Sequence, residues 1–79
     1  MENFASRFRE LRKERGLKQK EIGEVLDVSE RMISYYEHGG RYPDFKGLLF
    51  IAEYFQVSLD YLVGWSDQRE IPGGGSAKP

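Results

Sequence analysis

The sequence predicts an all-α domain built from five short helices. Apolar residues recur three or four positions apart along most of residues 1–65, which is the period of an amphipathic helix. No segment alternates apolar and polar residues as a half-buried strand would, and residues typical of helix ends punctuate the chain. The segments between the predicted helices are short, roughly two to six residues, as in a compact bundle.

The first helix has clear signals at both ends. Asn3 is a favourable N-cap, and Gly16 suits the position just beyond a helix end, so the sequence predicts a helix that stops before Gly16. Its buried side is expected to consist of residues spaced four and three apart, namely Phe4, Phe8 and Leu11.

The second helix is predicted from Gln19 to Leu26, with weaker end signals. Lys18 is a poor N-cap, so we expect this end to fray. Asp27 occupies the sharp turn that follows, where we expect a left-handed backbone. Gly23 costs about 1 kcal/mol inside a helix, and we expect its missing side chain to let the next helix approach closely.

The last three helices each begin with a favourable N-cap. The third runs to His38 and is ended by two glycines, the fourth runs to Phe55, and the fifth covers Leu59–Val63 before Gly64. The three N-caps are Ser29, Asp44 and Ser58.

Length and composition indicate one domain over residues 1–65. Residues 66–79 (SDQREIPGGGSAKP) have few apolar side chains, so we expect a flexible tail or linker there. The chain has no cysteine, which excludes disulfides and thiolate metal sites, and no apolar run approaches the ~18 residues that span a membrane. These features favour a cytoplasmic location and no membrane contact.

The charge is polarised along the chain. Residues 1–20 contain seven basic and three acidic side chains, a balance of +4, and the remainder contains five basic and ten acidic side chains, a balance of −5. A basic end of this kind would suit contact with phosphate groups. The alternative is that the first helix is simply a solvated, charged helix.

The segment from Gln19 to Glu37 (QKEIGEVLDVSERMISYYE) is the most informative part of the chain. It predicts two short helices joined by a tight turn, with one polar face left outside. The apolar positions that converge on one small core are Ile22, Leu26, Val28, Ile33 and Tyr36. A second helix held at a steep angle by such a turn can enter the major groove of DNA.

Residues 7–64 resemble the lambda-repressor-like, Cro-type helix-turn-helix domains of the Xre group. The phrases that carry the resemblance are RFRELRKERGLKQKEIGEVL, the turn DVS, ISYYEHGGRYP and FKGLLFIAEYFQVSLDYLVG. The resemblance implies a compact five-helix lambda-repressor-like fold, whose helices 2 and 3 form the helix-turn-helix and bind double-stranded DNA.

The resemblance also implies a phosphate site and a buried ion pair. Gln19 matches the glutamine that opens helix 2 and binds phosphate, although it could instead only cap the helix. Arg12 and Glu37 match an ion pair that ties helix 1 to helix 3. The further candidates for phosphate contact are Lys18, Lys20, Arg41 and Tyr42.

Four side chains of helix 3 are the candidate base readers: Glu30, Arg31, Ser34 and Tyr35. Arg31 could contact guanine through two hydrogen bonds, and Glu30 could accept from cytosine or repel wrong sites. Tyr35 could pack on a thymine methyl group or form a hydrogen bond to a phosphate. Ser34 could tolerate more than one base. The alternative for all four residues is an ordinary solvated helix face.

Large apolar residues in helices 4 and 5 suggest a dimer surface. Helix 4 is expected to turn its core side inward through Phe45, Leu48, Leu49, Ile51, Ala52 and Phe55. Two further pairs spaced four residues apart then remain for an interface between protomers: Phe50 with Tyr54, and Tyr61 with Trp65. The alternative is that these aromatic side chains enlarge the core of a single protomer.

The sequence therefore predicts a sequence-specific transcriptional regulator of the repressor type, acting as a homodimer on a pseudo-palindromic operator. A protein-binding module on the same fold, such as an antitoxin or anti-repressor with a protein partner, is the alternative. No nucleophile–base set and no metal-ligand spacing is visible, so we expect no enzyme, no cofactor and no metal.

Overall fold

The computed structural model describes residues 3–71 and contains five helices. They are α1 (Phe4–Glu14), α2 (Gln19–Leu26), α3 (Glu30–His38), α4 (Phe45–Phe55) and α5 (Leu59–Leu62). No strand occurs in this range, which confirms the predicted all-α, five-helix fold. The boundaries agree with the sequence prediction to within a residue, and the predicted tail beyond residue 71 lies outside the described residues.

Four of the five helices begin with the predicted side-chain cap. Each cap oxygen accepts a hydrogen bond from the backbone N–H three residues later, at 2.8–3.0 Å. Such a bond satisfies a donor that the helix itself leaves unpaired and contributes about 1 kcal/mol. The capping residues are Asn3, Ser29, Asp44 and Ser58.

One fully buried side chain from each helix forms the centre of the core. The five are Phe8, Ile22, Ile33, Ile51 and Leu62. The ring of Phe8 packs edge-on against Tyr36 and Phe55, with ring centres 6.1 and 6.2 Å apart. The first helix thus packs against both α3 and α4.

The turn between α2 and α3 depends on two residues with unusual roles. Asp27 has φ 59° and ψ 42°, the left-handed conformation predicted for it. The Val28 N–H donates to the Gly23 carbonyl oxygen at 2.9 Å. A Cβ atom at Gly23 would lie 2.9 Å from the Val28 carbonyl oxygen and 3.5 Å from Ile33. The close approach expected at Gly23 is therefore present.

Residues 66–69, which follow the domain boundary predicted at residue 65, are hydrogen-bonded to the helical body. The buried Arg7 guanidinium donates to the Ser66 carbonyl oxygen at 3.1 Å and to Asp67 at 2.9 Å. The Ser58 N–H donates to the Arg69 carbonyl oxygen at 2.7 Å. These bonds give a polar segment the anchoring that its few apolar side chains could not provide.

Tyr61, which was predicted to lie with Trp65 on a dimer surface, lies in the core instead. This residue is only 6% exposed, because the Arg7 guanidinium lies 3.9 Å from its ring centre and Arg69 donates to its hydroxyl oxygen at 3.0 Å. Tyr61 therefore belongs to the protomer's own core. Trp65, its predicted partner, is 77% exposed.

Two residues of α4 assigned to the core lie at the surface instead. Phe45 and Leu49 are 65% and 44% exposed. The core faces a narrow strip of this helix, which Ile51, Ala52 and Phe55 fill, with Leu48 packed at its edge. Leu49 follows Leu48 by about 100° around the helix and so leaves this strip. No helix of residues 3–71 has the length and hydropathy needed to span a membrane.

Candidate nucleic-acid interface

The core holds α3 by one side and leaves the other accessible. Ile33, Tyr36 and Glu37 are buried, and burial raises the pKa of Tyr36, with a smaller contribution from the charge of Asp44. All four predicted base readers lie outside this buried strip: Glu30 and Arg31 are exposed, whereas Ser34 and Tyr35 are half-buried. None of the four is enclosed in the core.

The buried ion pair predicted between α1 and α3 is present. Arg12 directs Nε and Nη2 at the two carboxylate oxygens of Glu37, at 2.5 and 3.0 Å. Its Nη1 donates to the Leu17 carbonyl oxygen at 2.7 Å. The two charged side chains are 11% and 2% exposed, so the pair is part of the interior and fixes the position of α3.

Gln19, the first residue of α2, is held by the same carboxylate. Its side-chain amide donates to Glu37 Oε1 at 3.1 Å, so this amide is joined to the buried ion pair. Lys18 makes no side-chain cap, but its N–H donates to the Glu21 carboxylate at 2.7 Å. This bond fixes the end of α2 that the sequence predicted to fray, and Lys18 and Lys20 are exposed beside it.

The loop after α3 begins with a tight backbone turn. Gly39 adopts a positive φ of 79°, and its N–H donates to the Tyr35 carbonyl oxygen. The Gly40 N–H donates to the same oxygen at 2.9 Å. Arg41 and Tyr42 then follow as exposed residues near the end of α3. Tyr42 keeps one side toward the protein, where its ring centre lies 6.1 Å from that of Phe4.

Two arginines flank Tyr35. Arg31 Nε donates to the Tyr35 hydroxyl oxygen at 3.2 Å, and the Arg41 guanidinium lies 5.4 Å from the centre of the Tyr35 ring. The structure therefore places Arg31, predicted to read bases, and Arg41, predicted to contact phosphate, against the same tyrosine. The sequence did not predict this proximity, because Gly39 and Gly40 leave the direction of the loop open.

Arg7 and Arg69 have roles that the sequence analysis missed. Arg69 binds the Glu14 carboxylate through both terminal nitrogens, which lowers the pKa of Glu14 and raises that of Arg69. For Arg7 a signal was available, because it lies three residues after Phe4 and four before Leu11 on the buried side of α1. A guanidinium buried at this position needs carbonyl and carboxylate partners, because an unpaired buried charge is costly.

The described residues contain no group of histidine, cysteine or acidic side chains that could hold a metal ion. His38 Nδ1 lies 2.8 Å from the Ser34 carbonyl oxygen, one turn earlier in α3. Because a carbonyl oxygen only accepts, Nδ1 is the donor in this bond. The histidine thus belongs to the local structure of the helix end.

The fold and the arrangement of α2 and α3 are those of known DNA-binding regulators. The family model HTH_3, described as Helix-turn-helix, matches residues 8–62. The chain belongs to the lambda-repressor-like helix-turn-helix family. The predicted resemblance is thereby confirmed: residues 8–62 have the DNA-binding fold of the family of helix-turn-helix transcriptional regulators.

Three relatives illustrate the range of similarity. The HTH-type transcriptional regulator ImmR of Bacillus subtilis (strain 168) is 37% identical over 62 residues, which are 78% of this chain and 49% of ImmR. A transcriptional regulator from Listeria innocua, known from its crystal structure, is 43% identical with a TM-score of 0.76, covering 80% of this chain and 59% of the other.

The third relative was crystallised with DNA. The P22 c2 repressor, in complex with synthetic operator 9T, superimposes with a TM-score of 0.75 and 29% identity, covering 84% of this chain and all of that one. This lambda-repressor-like chain spans about half the length of the curated relatives it matches.

Proposed function

We propose that the protein is a sequence-specific DNA-binding regulator of the repressor type, which occupies a pseudo-palindromic operator as a homodimer. The observation that carries the proposal is the accessible side of α3, which bears Glu30, Arg31, Ser34 and Tyr35 while its other side is buried. A helix supported in this way can enter the major groove without disturbing its own core. Because such a regulator acts on chromosomal DNA, the proposal includes a cytoplasmic location.

Arg31 is assigned the main part in base recognition. Two guanidinium N–H groups can bind O6 and N7 of guanine, which discriminates against other bases by about 1–3 kcal/mol. Glu30, in the first turn of α3, accepts from cytosine N4 at a correct site and repels phosphate at a wrong one. Ser34 accommodates several bases because its side chain is small and both donates and accepts.

The flanking contacts are assigned to the phosphate backbone. The N-terminus of α2 carries a partial positive charge, and its first residue, Gln19, offers a backbone N–H to a phosphate oxygen. Lys18 and Lys20 lie beside this N-terminus. Arg41 and Tyr42 are assigned to phosphates near the other end of α3. Neutralised phosphates release counterions, so binding is expected to weaken steeply as salt rises.

The dimer is assigned to apolar side chains of α4 together with Trp65. Phe45 and Leu49 form one exposed stripe of α4, whereas Phe50 stacks on Tyr54 along another, with ring centres 6.5 Å apart. Binding to two operator half-sites requires that the two α3 helices of the dimer lie about 34 Å apart, one turn of DNA. Exposed apolar surface of this kind is typical of an interface between protein molecules.

The decisive experiment selects bound sites from random DNA and then titrates the best site at several salt concentrations. We expect a site with two related halves, and a steep loss of affinity between 50 and ~200 mM salt. Arg31→Ala should abolish the preference at one base pair in each half, whereas Arg9→Ala, which removes an exposed cation of α1, should not. No DNA affinity at low salt would overturn the proposal and favour the protein-binding alternative.

Sedimentation tests the dimer separately. Trp65→Ser should shift the protein toward the monomer, and Phe45→Ser compared with Phe50→Ser shows which stripe of α4 takes part. A wild-type protein that remains monomeric at concentrations above those that saturate the operator would refute the homodimer.

A further inference from the structure

Tyr35 occupies a position between two arginines that the proposed function assigns to different parts of DNA. We infer that Tyr35 is a positioning residue rather than a base reader: its hydroxyl group orients Arg31 and its ring orients Arg41. This inference rests on the proposed function, since it takes Arg31 to contact bases and Arg41 to contact the sugar–phosphate backbone.

The hydroxyl group orients Arg31 through one hydrogen bond along the helix. Arg31 and Tyr35 are one turn apart in α3, and Arg31 Nε donates to the hydroxyl oxygen at 3.2 Å. Because Nε is engaged, both Nη groups of Arg31 remain available for a two-bonded contact with guanine. An exposed arginine that is already oriented loses less rotamer freedom when it binds.

The ring orients Arg41 through the loop that carries it. The Tyr35 carbonyl oxygen accepts from the Gly40 N–H at 2.9 Å, and a Cβ atom at Gly40 would lie 3.5 Å from Cδ1 of the ring. The loop therefore begins in contact with Tyr35. Arg41, the next residue, has its guanidinium 5.4 Å from the ring centre, within the range of a cation–π interaction.

Burial suits Tyr35 to this role. Its side chain is half-buried, whereas Arg31 and Arg41 are both exposed. A tyrosine has few rotatable bonds and is itself held by its neighbours, so it can restrain longer and more flexible side chains. The consequence is a linkage between the residue that selects a base and the residue that holds the backbone.

Two substitutions of Tyr35 separate the two roles on DNA. Tyr35→Phe removes the hydroxyl group and keeps the ring, so preference at the base pair read by Arg31 should fall about three- to tenfold with no change in salt dependence. Tyr35→Leu removes the ring as well, and the slope of log affinity against log salt should also fall by about one phosphate contact. Circular dichroism of each variant is the check that it is folded.

The control is the double variant. In an Arg31→Ala background, Tyr35→Phe should have no further effect on base preference, because no arginine remains to be oriented. If Tyr35→Phe costs as much there as in the wild type, Tyr35 contacts DNA itself and the inference is wrong. The inference also fails if Tyr35→Phe binds all sites as the wild type does.

A measurement without DNA keeps this test distinct from that of the function. In ¹⁵N NMR of the free protein, the Arg31 Nε–Hε group should be more mobile in Tyr35→Phe than in the wild type, and Arg41 should become more mobile only in Tyr35→Leu. Arg9, on α1, serves as an internal reference. If the wild type bound no DNA, unchanged Arg31 mobility in Tyr35→Phe would still overturn the positioning role.

Discussion

Replacing Glu37 by glutamine tests whether the buried ion pair holds α1 and α3 together. Arg12 directs two donors at the Glu37 carboxylate, at 2.5 and 3.0 Å, and a third at the Leu17 carbonyl oxygen. Glutamine keeps one acceptor but turns an NH₂ group toward the other Arg12 donor. The guanidinium then stays in the interior, 11% exposed, with its charge uncompensated.

The expected loss is large for a domain of this size. Removing one partner of a buried ion pair costs about 3–5 kcal/mol. At ~0.05–0.15 kcal/mol per residue, a chain of 79 residues has a free energy of unfolding of about 4–12 kcal/mol. Glu37→Gln should therefore remove at least a quarter of the stability, and a marginal domain would unfold at room temperature.

Urea unfolding, followed by circular dichroism, measures this loss. The double variant Arg12→Met/Glu37→Leu removes both charges and should be more stable than Glu37→Gln and than Arg12→Met. A loss below about 1 kcal/mol in Glu37→Gln would refute the reasoning. It would also be refuted if the loss in the double variant equalled the summed losses of the single variants Arg12→Met and Glu37→Leu.

Three further predictions concern stability. Glu14→Gln should lose only ~0.5 kcal/mol at neutral pH, because solvent screens the exposed Arg69 pair. Because hydrogen bonds from Arg69 lower the pKa of Glu14, this contribution is present above the ordinary pKa of a glutamate and disappears as pH falls through the lowered pKa. Unfolding curves measured over an acid pH series should therefore lose this dependence in the variant. Gly23→Ala should lower stability by about 1–3 kcal/mol, because its Cβ would lie 2.9 Å from the Val28 carbonyl oxygen; an unchanged Tm would contradict this. Gln56→Gly should raise stability by up to ~1 kcal/mol, since Gln56 has a φ of 58°, and a lower urea midpoint would count against it.

The helix ends could be predicted because each depends on a local signal. Ser29 and Asp44 accept bonds from N–H groups only three residues away, so the necessary partners stand side by side in the sequence. The left-handed turn at Asp27 is local in the same way. The exposed side of α3 was also predictable, because the helical period determines which residues remain at the surface once Ile33 and Tyr36 are buried.

The burial of Tyr61 was not predictable, because it depends on partners far away in the chain. Arg7 donates to the Tyr61 carbonyl oxygen across 54 positions and to Asp67 across 60. Arg69 completes the enclosure from a segment whose composition predicts a tail. Composition indicates how much apolar surface a segment can bury. Residues 66–69 are anchored instead by hydrogen bonds, including two from the buried Arg7 guanidinium.

The exposed side of α4 illustrates a second limit. An apolar stripe in the sequence shows that a helix has a core side, but the packing angle decides how wide that side is. Phe45 and Leu49 belong to the stripe by spacing and lie outside it by geometry. The relation of Tyr35 to Arg41 was hidden for a related reason, since two intervening glycines leave the direction of the loop open.

A single carboxylate links the two parts of the proposed interface. Glu37 belongs to α3, yet it accepts from Arg12 of α1 and from Gln19, the first residue of α2. Because its side chain is only 2% exposed, these bonds are little weakened by water. The distance between the N-terminus of α2, assigned to phosphate, and the face of α3, assigned to bases, is thus set inside the protein. DNA would then meet a pre-formed spacing, and base recognition would not have to supply the energy for arranging the two helices.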